Sequence, residues 1–183
     1  VRGFGDYTLL GQTLDDAAGE AFDKVAKILG LGYPGGSAIE RAARSGDGRK
    51  VLFPRALLSR GSLDFSFSGL KTSVALYVKK WRGDGEGAAG VRTEDIAASF
   101  QEAVIEVLVQ KTLDAVDRVG VSAVVLAGGV ACNQALREKM GQKTTEKGLR
   151  LYVPRPSYCT DNGAMIAFAG HQRIARGEAS DLS

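Results

Sequence analysis

The chain has 183 residues, 44% hydrophobic and 25% charged, with a net charge of +3, enough for one domain with a buried core or one domain carrying an insertion. No apolar run reaches the roughly 18–20 residues of a membrane span. Two cysteines, Cys132 and Cys159, make no disulfide framework and fit a reducing cytoplasm, and the one histidine, His171, excludes a His-rich zinc site within this chain.

The first six residues are polar and glycine-rich, so no signal peptide is expected, and the missing initiator Met predicts a fragment or a processed form. Residues 7–11 read as a short strand. The spacing of Ala18, Phe22, Val25, Ile28 and Leu29 predicts a helix over 15–29, stopped by Gly30. Beyond the turn Tyr33-Pro34-Gly35-Gly36, Ser37 and Glu40 stand at capping-box spacing and predict a second helix ending near Gly46. Residues 46–62 read as loop, 64–68 as a strand edge, 70–81 as a helix and 83–90 as a glycine-rich break. A long helix is predicted from a Thr93 cap to Val119, with Ile96, Phe100, Val104, Val107 and Leu108 on its apolar face. A buried strand over 124–127, a helix over 133–140, a strand over 151–153 and a helix over 161–176 complete the chain. Strand and helix alternate there, which predicts an α/β fold with a parallel component and a mainly helical insertion at about 37–92.

Charge is uneven. Residues 41–82 hold ten Lys and Arg against Asp47 and Asp64, a net +8, which leaves −5 for the rest of a +3 chain. Such a block suits a polyanion such as nucleic acid, or is a solvated basic face.

Four segments carry candidate chemistry. In Ala127-Gly128-Gly129-Val130-Ala131-Cys132-Asn133 a β-branched strand meets two glycines and then a helix. Gly128 and Gly129 would let a ligand touch backbone, the helix start would receive an anion, and Asn133 could bond a base or sugar; a tight packing turn reads the same way. Asp16, Glu20 and Asp23 share one helical face, and such stacked carboxylates call for a metal, an Arg or ribose hydroxyls unless they are a solvated stripe. Gly36 sits in a rigid turn suited to close approach of a ring or ribose, and Glu40 reads first as a cap. In Cys159-Thr160-Asp161-Asn162-Gly163, Asp161 is either a metal ligand or a helix-start carboxylate. His171 reads as a helix C-terminal residue rather than a catalyst.

Leu14-Asp15-Asp16-Ala17-Ala18-Gly19-Glu20-Ala21-Phe22-Asp23-Lys24, Tyr33-Pro34-Gly35-Gly36, Asp64-Phe65-Ser66-Phe67-Ser68-Gly69-Leu70-Lys71-Thr72, Ala127-Gly128-Gly129-Val130 through Asn133, and Cys159-Thr160-Asp161-Asn162-Gly163-Ala164-Met165 together resemble the TsaD family of tRNA threonylcarbamoyladenosine transferases, once labelled sialoglycoprotein endopeptidases. The resemblance implies an α/β ribonuclease-H-like lobe of the acetate kinase, Hsp70 and actin (ASKHA) superfamily, here the carboxy-terminal lobe over 1–183 without its amino-terminal partner. It implies transfer of a threonylcarbamoyl group from threonylcarbamoyl-AMP to the exocyclic amine of the tRNA adenosine just after the anticodon. It implies that Asp23, Gly36 and Asn133, with Glu40 as a possible addition, hold the adenylate beside Gly128 and Gly129, and that Asp161 is one ligand of a divalent iron or zinc. TsaB-like and TsaE-like partners, a cytoplasmic setting and no membrane follow from the same likeness. The family's paired metal histidines and Ser-Gly-Gly-His loop would stand before Val1, and its last residues after Ser183, so this chain would hold half a site, one metal ligand of three and a sheet short of its first strands, and would be inactive alone. The alternative is a nucleotide-binding or partner-docking module without catalysis. Peptidase chemistry has no support, since one histidine builds neither a nucleophile–His pair nor a zinc motif.

Overall fold

The computed structural model describes residues 1–56, 61–83 and 90–178. Its elements are α1 (Ala18–Leu29), α2 (Gly35–Ala43), α3 (Ser68–Gly83), α4 (Thr93–Val119), β1 (Ala123–Val125), α5 (Gln134–Glu146), β2 (Arg150–Tyr152) and α6 (Gly163–Ile174), with short 3-10 turns at Gly129–Cys132 and Pro156–Tyr158. The 3.6-residue apolar spacing of α1 puts Phe22, Val25, Ala26 and Leu29 on one buried face, and Gly30 ends the helix at φ 74°.

The long helix α4 organises the interior. Its first half, through Ile96, Phe100, Val104 and Val107, packs with α1, α2 and α3. Its second half, through Ile105, Val109 and Leu113, packs with Leu136 and Met140 of α5. Phe22 and Phe100 meet edge to face at 5.2 Å in the first of these clusters. Lys111 is 2% exposed, and its Nζ is satisfied by Ser62 O at 2.6 Å.

β1 and β2 pair in parallel, Val124 opposite Leu151, and α5 makes the crossover that parallel strands need. Val124 and Leu151 turn inward, while Val125 and Tyr152 stay 70% and 51% exposed. The result is an α/β fold of mainly helical content. The stretch 37–92 holds most of α2 and all of α3.

Several expectations are corrected. Residues 7–11 form no strand, because the described residues offer them no neighbour to pair with. The expected strand edge at 64–68 is reduced to one bridge, Thr13 with Phe65, and Ser68 already begins α3. Asp15 explains that early start. It accepts the N–H groups of Phe67 and Ser68 at 2.8 and 3.1 Å and the hydroxyls of Ser66 and Ser68, so a carboxylate from elsewhere in the chain caps α3. Thr93 is the first residue of α4 rather than its cap; Asp95 Oδ2 accepts the Arg92 N–H at 2.9 Å. The glycine break falls largely at 84–89, outside the described residues, as does Arg60.

Candidate functional site

The turn 31–36 brings the start of α2 back onto α1. Asp23 Oδ1 accepts the Gly35 N–H at 2.7 Å, and a Cβ on Gly35 would lie 2.4 Å from Asp23 Cα. Asp23 also lines a cleft of about 700 Å³, and its Oδ2 makes no hydrogen bond among the described residues. Gly36, Ser37 and Glu40 continue the same wall from α2, with Tyr33 at 85% exposure on its rim. The opposite wall is the 3-10 turn after β1, through Gly129, Val130, Cys132 and Asn133. Gly128, at φ 90°, bends the chain into that turn from just outside the cleft lining. Thr160 and Asp161 close the far end.

Six of the seven residues expected at a site therefore line one cleft: Asp23, Gly36, Glu40, Gly129, Asn133 and Asp161. Phe22, Ser37 and Thr160 line it as well and were not anticipated. Phe22 carried only a core signal, and Ser37 read as a cap.

The hydrogen bonds revise several expectations. Glu40 does not close a capping box with Ser37, because α2 begins two residues earlier, at Gly35 behind Pro34, and Ser37 Oγ donates to Pro34 O at 3.0 Å. Instead Glu40 Oε1 accepts the Gln134 N–H at 3.0 Å, across the cleft at the start of α5. Asn133 Oδ1 takes the Leu136 N–H at 3.0 Å, and Asn133 Nδ2 donates to Gln101 Oε1 at 2.8 Å. The start of α5 was expected as an open anion site; two of its N–H groups are already held by side chains, and one of these is a carboxylate. The acidic stripe also resolves differently. Asp16 precedes α1 and bonds Lys24 and Lys71 at 2.6 and 2.9 Å, and Glu20 pairs with Lys24, so lysines offset these charges. Those lysines hold the Asp16 carboxyl below its ordinary range. Asp161 stands two residues before α6, at the helix start, and the neighbouring Asn162 caps that helix, its Oδ1 taking the Met165 N–H at 3.0 Å. Burial, with the Cys159 thiol beside it, pushes the Cys132 thiol up.

Three carboxylates, Asp23, Glu40 and Asp161, line the cleft, and among the described residues no Lys or Arg does. Such a wall favours hydroxyl-rich or neutral groups, and a phosphate there calls for an accompanying cation. Among the described residues no three His, Cys, Asp or Glu gather closely enough to hold a metal. Asp161 could give one ligand of the three or more that such an ion takes, so these residues do not by themselves fit a metal. His171 lies in the last turn of α6, outside the cleft lining.

Fold and cleft together define an α/β protein with a cleft at the turn from a parallel strand into a helix, the place where α/β sheets commonly bind ligands. The family model for tRNA N6-adenosine threonylcarbamoyltransferase, TsaD, matches residues 1–168, and the chain belongs to that family. Curated relatives of that name include one from Magnetococcus marinus, 54% identical over 97% of this chain and 50% of that protein. Others are from Syntrophotalea carbinolica, 50% identical over 100% of this chain and 52% of that protein, and Geobacter sulfurreducens, 54% identical over 100% and 53%. The chain thus spans about half the length of the curated relatives it matches. Among solved structures, the crystal structure of T. kodakarensis HypF superposes with a TM-score of 0.61 at 21% identity, over 87% of this chain and 20% of that one, a likeness of fold.

Proposed function

We propose that this chain is the carboxy-terminal lobe, ribonuclease-H-like and of the ASKHA type, of an enzyme that modifies tRNA. In the whole protein the exocyclic amine of an adenosine beside the anticodon attacks the carbonyl carbon of threonylcarbamoyl-AMP. A C–N bond forms, the C–O bond to phosphate breaks, AMP leaves, and the amine loses a proton. The observation that carries this reading is the convergence of Asp23, Gly36, Glu40, Gly129, Asn133 and Asp161 on one cleft in a chain of this family. Each carboxylate of the inner wall is anchored through one oxygen, Asp23 Oδ1 by Gly35 and Glu40 Oε1 by Gln134. Each keeps its second oxygen for a ribose hydroxyl. That pre-sets the acceptors before the ligand arrives and lowers the ordering cost of binding. The open backbone at Gly128 and Gly129 lets the phosphate side approach. Asp161 would contribute one ligand to a divalent iron or zinc completed by residues outside this chain; such an ion would neutralise phosphate charge in an otherwise acidic cleft. The basic segment would meet the tRNA backbone, in the cytoplasm, with TsaB-like and TsaE-like proteins as further partners.

The test is turnover. The whole protein with its partners, given tRNA and threonylcarbamoyl-AMP, should yield threonylcarbamoyladenosine and AMP in equal amounts, measured by mass spectrometry of digested tRNA. Asp161→Asn, nearly isosteric, should keep the fold and lose most metal and product. Normal metal content and turnover in that variant would reduce Asp161 to a surface carboxylate, and no modified nucleoside with the unaltered protein would sink the reading.

A further inference from the structure

Arg137 lies one turn into α5, half-buried, and does not line the cleft. Its guanidinium reaches three acceptors, none of them a carboxylate. Nε donates to Ala131 O, and Nη2 donates to Pro154 O at 3.1 Å and Cys159 Sγ at 3.5 Å. Ala131 belongs to the 3-10 turn that carries Gly129 and Cys132 into one wall of the cleft. Pro154 and Cys159 lead into Thr160 and Asp161 at its far end. The sheet cannot hold these two segments together, because its ladder ends where Leu126 N–H meets Tyr152 O at 2.9 Å. Beyond that point the other links between them among the described residues are weak sulfur contacts, the Cys132 thiol to Pro156 O at 3.7 Å and the Cys159 thiol beside it.

We propose that Arg137 is a positioning residue that sets the separation of the Gly129 turn from the Asp161 loop, and so the width of the cleft. The proposal rests on the adenylate reading of that cleft. A guanidinium suits this role because it is planar, permanently charged and carries five donors in a fixed fork, so one side chain ties three acceptors from two segments. A lysine in its place keeps the charge but gathers its donors on one nitrogen, without the fork that spans acceptors on both segments. Charge and geometry are therefore separable. If Arg137 acted through charge, Arg137→Lys would behave as the unaltered protein.

The experiment compares Arg137→Met and Arg137→Lys in the whole protein, each also in a Cys132→Ser background. Lys147→Met serves as control; Lys147 pairs with Asp117 at 2.6 Å at the far end of α5. AMP affinity is measured by calorimetry well below each variant's Tm, where a loss of stability alone leaves affinity unmoved. Both Arg137 variants should bind AMP about tenfold more weakly, and Lys147→Met should bind normally. Cys159, 4% exposed, should resist an aromatic disulfide reagent in the Cys132→Ser protein and react in both Arg137 variants. Should Arg137→Met fail to fold, Arg137→Lys carries the comparison. Unchanged AMP affinity with Cys159 still protected in the Arg137 variants would overturn the proposal. If the unaltered protein binds no AMP, the adenylate reading fails separately, and protection of Cys159 alone then decides whether Arg137 holds the two segments.

Discussion

Gly35 has no space for a side chain: a Cβ would stand 2.4 Å from Asp23 Cα and 2.7 Å from Asp23 N and Oδ1. Gly35→Ala should therefore separate α2 from α1 and misplace the Asp23 carboxylate. We expect a stability loss of about 1–3 kcal/mol, as for an overpacked core, seen as a lower Tm. Gly129 is different, since nothing lies within 4 Å of its Cβ position. Gly129→Val should leave Tm nearly unchanged and obstruct the ligand. Asp15 gives a prediction in pH. Burial raises its carboxyl, but the hydroxyls of Ser66 and Ser68 and the N–H groups of Phe67 and Ser68 outweigh that and hold it well below the ordinary 3.8. A depressed folded-state value stabilises above the unfolded one and fades as pH falls through it. The Tm gap between the unaltered protein and Asp15→Asn should be largest above about pH 5 and shrink toward pH 3. A gap constant with pH would count against the Asp15 cap. That Asp23, Gly36 and Asn133 would meet in one cleft was legible in the sequence where a motif supplied them, while the bonds of Asn133 to Leu136 and Gln101 were not. Nor were roles that depend on a partner far along the chain. Glu40 meets Gln134 94 residues away, and Asp15 meets Ser68 53 residues away, and no local pattern encodes either pair.

Among the elements, α4 is the one whose loss would dissolve the whole interior. Phe100 is 0% exposed and stacks edge to face on Phe22. Phe100→Ala should cost about 3–5 kcal/mol, measured by denaturant unfolding, and should loosen α1 and the cleft wall it carries. The helices α1 and α4 were readable because a 3.6-residue apolar period shows within each of them, as in Phe22, Val25 and Leu29 of α1. The first turns of α2 and α3 were not: α3 is capped by Asp15, 53 residues away, and α2 starts at Gly35 with no side-chain cap in place of the expected Ser37. The strands were overcounted. A strand exists only with its neighbour, and 7–11 has β-compatible residues without one among those described. At the other end α6 buries no residue, and Ile166 and Phe168 are 75% and 60% exposed. The sequence predicted a helix there without saying what it packs on.

At the scale of the molecule, the basic block is less uniform than its +8 implies. Lys71 is engaged by Asp16 and Arg55 by Glu106 at 2.5 Å, while Arg41, Lys50, Lys79 and Lys80 are exposed and make no ion pair among the described residues. Charge reversal at Lys50, Lys79 and Lys80 in the whole protein should weaken tRNA binding and flatten its salt dependence, by a slope of about one for each phosphate no longer neutralised. Unchanged affinity and slope would assign the tRNA surface elsewhere. In the proposed reading the cleft between α1, α2 and the Gly129 turn holds the adenylate. Calorimetric titration of AMP into the whole protein tests it most directly, comparing the unaltered form with Asp23→Asn and Gly129→Val. A carboxylate hydrogen bond to a hydroxyl is worth about 1.5–3 kcal/mol, so Asp23→Asn should bind AMP at least roughly tenfold more weakly, and Gly129→Val should do so at unchanged Tm. Unaltered AMP affinity in both variants would place the adenylate elsewhere.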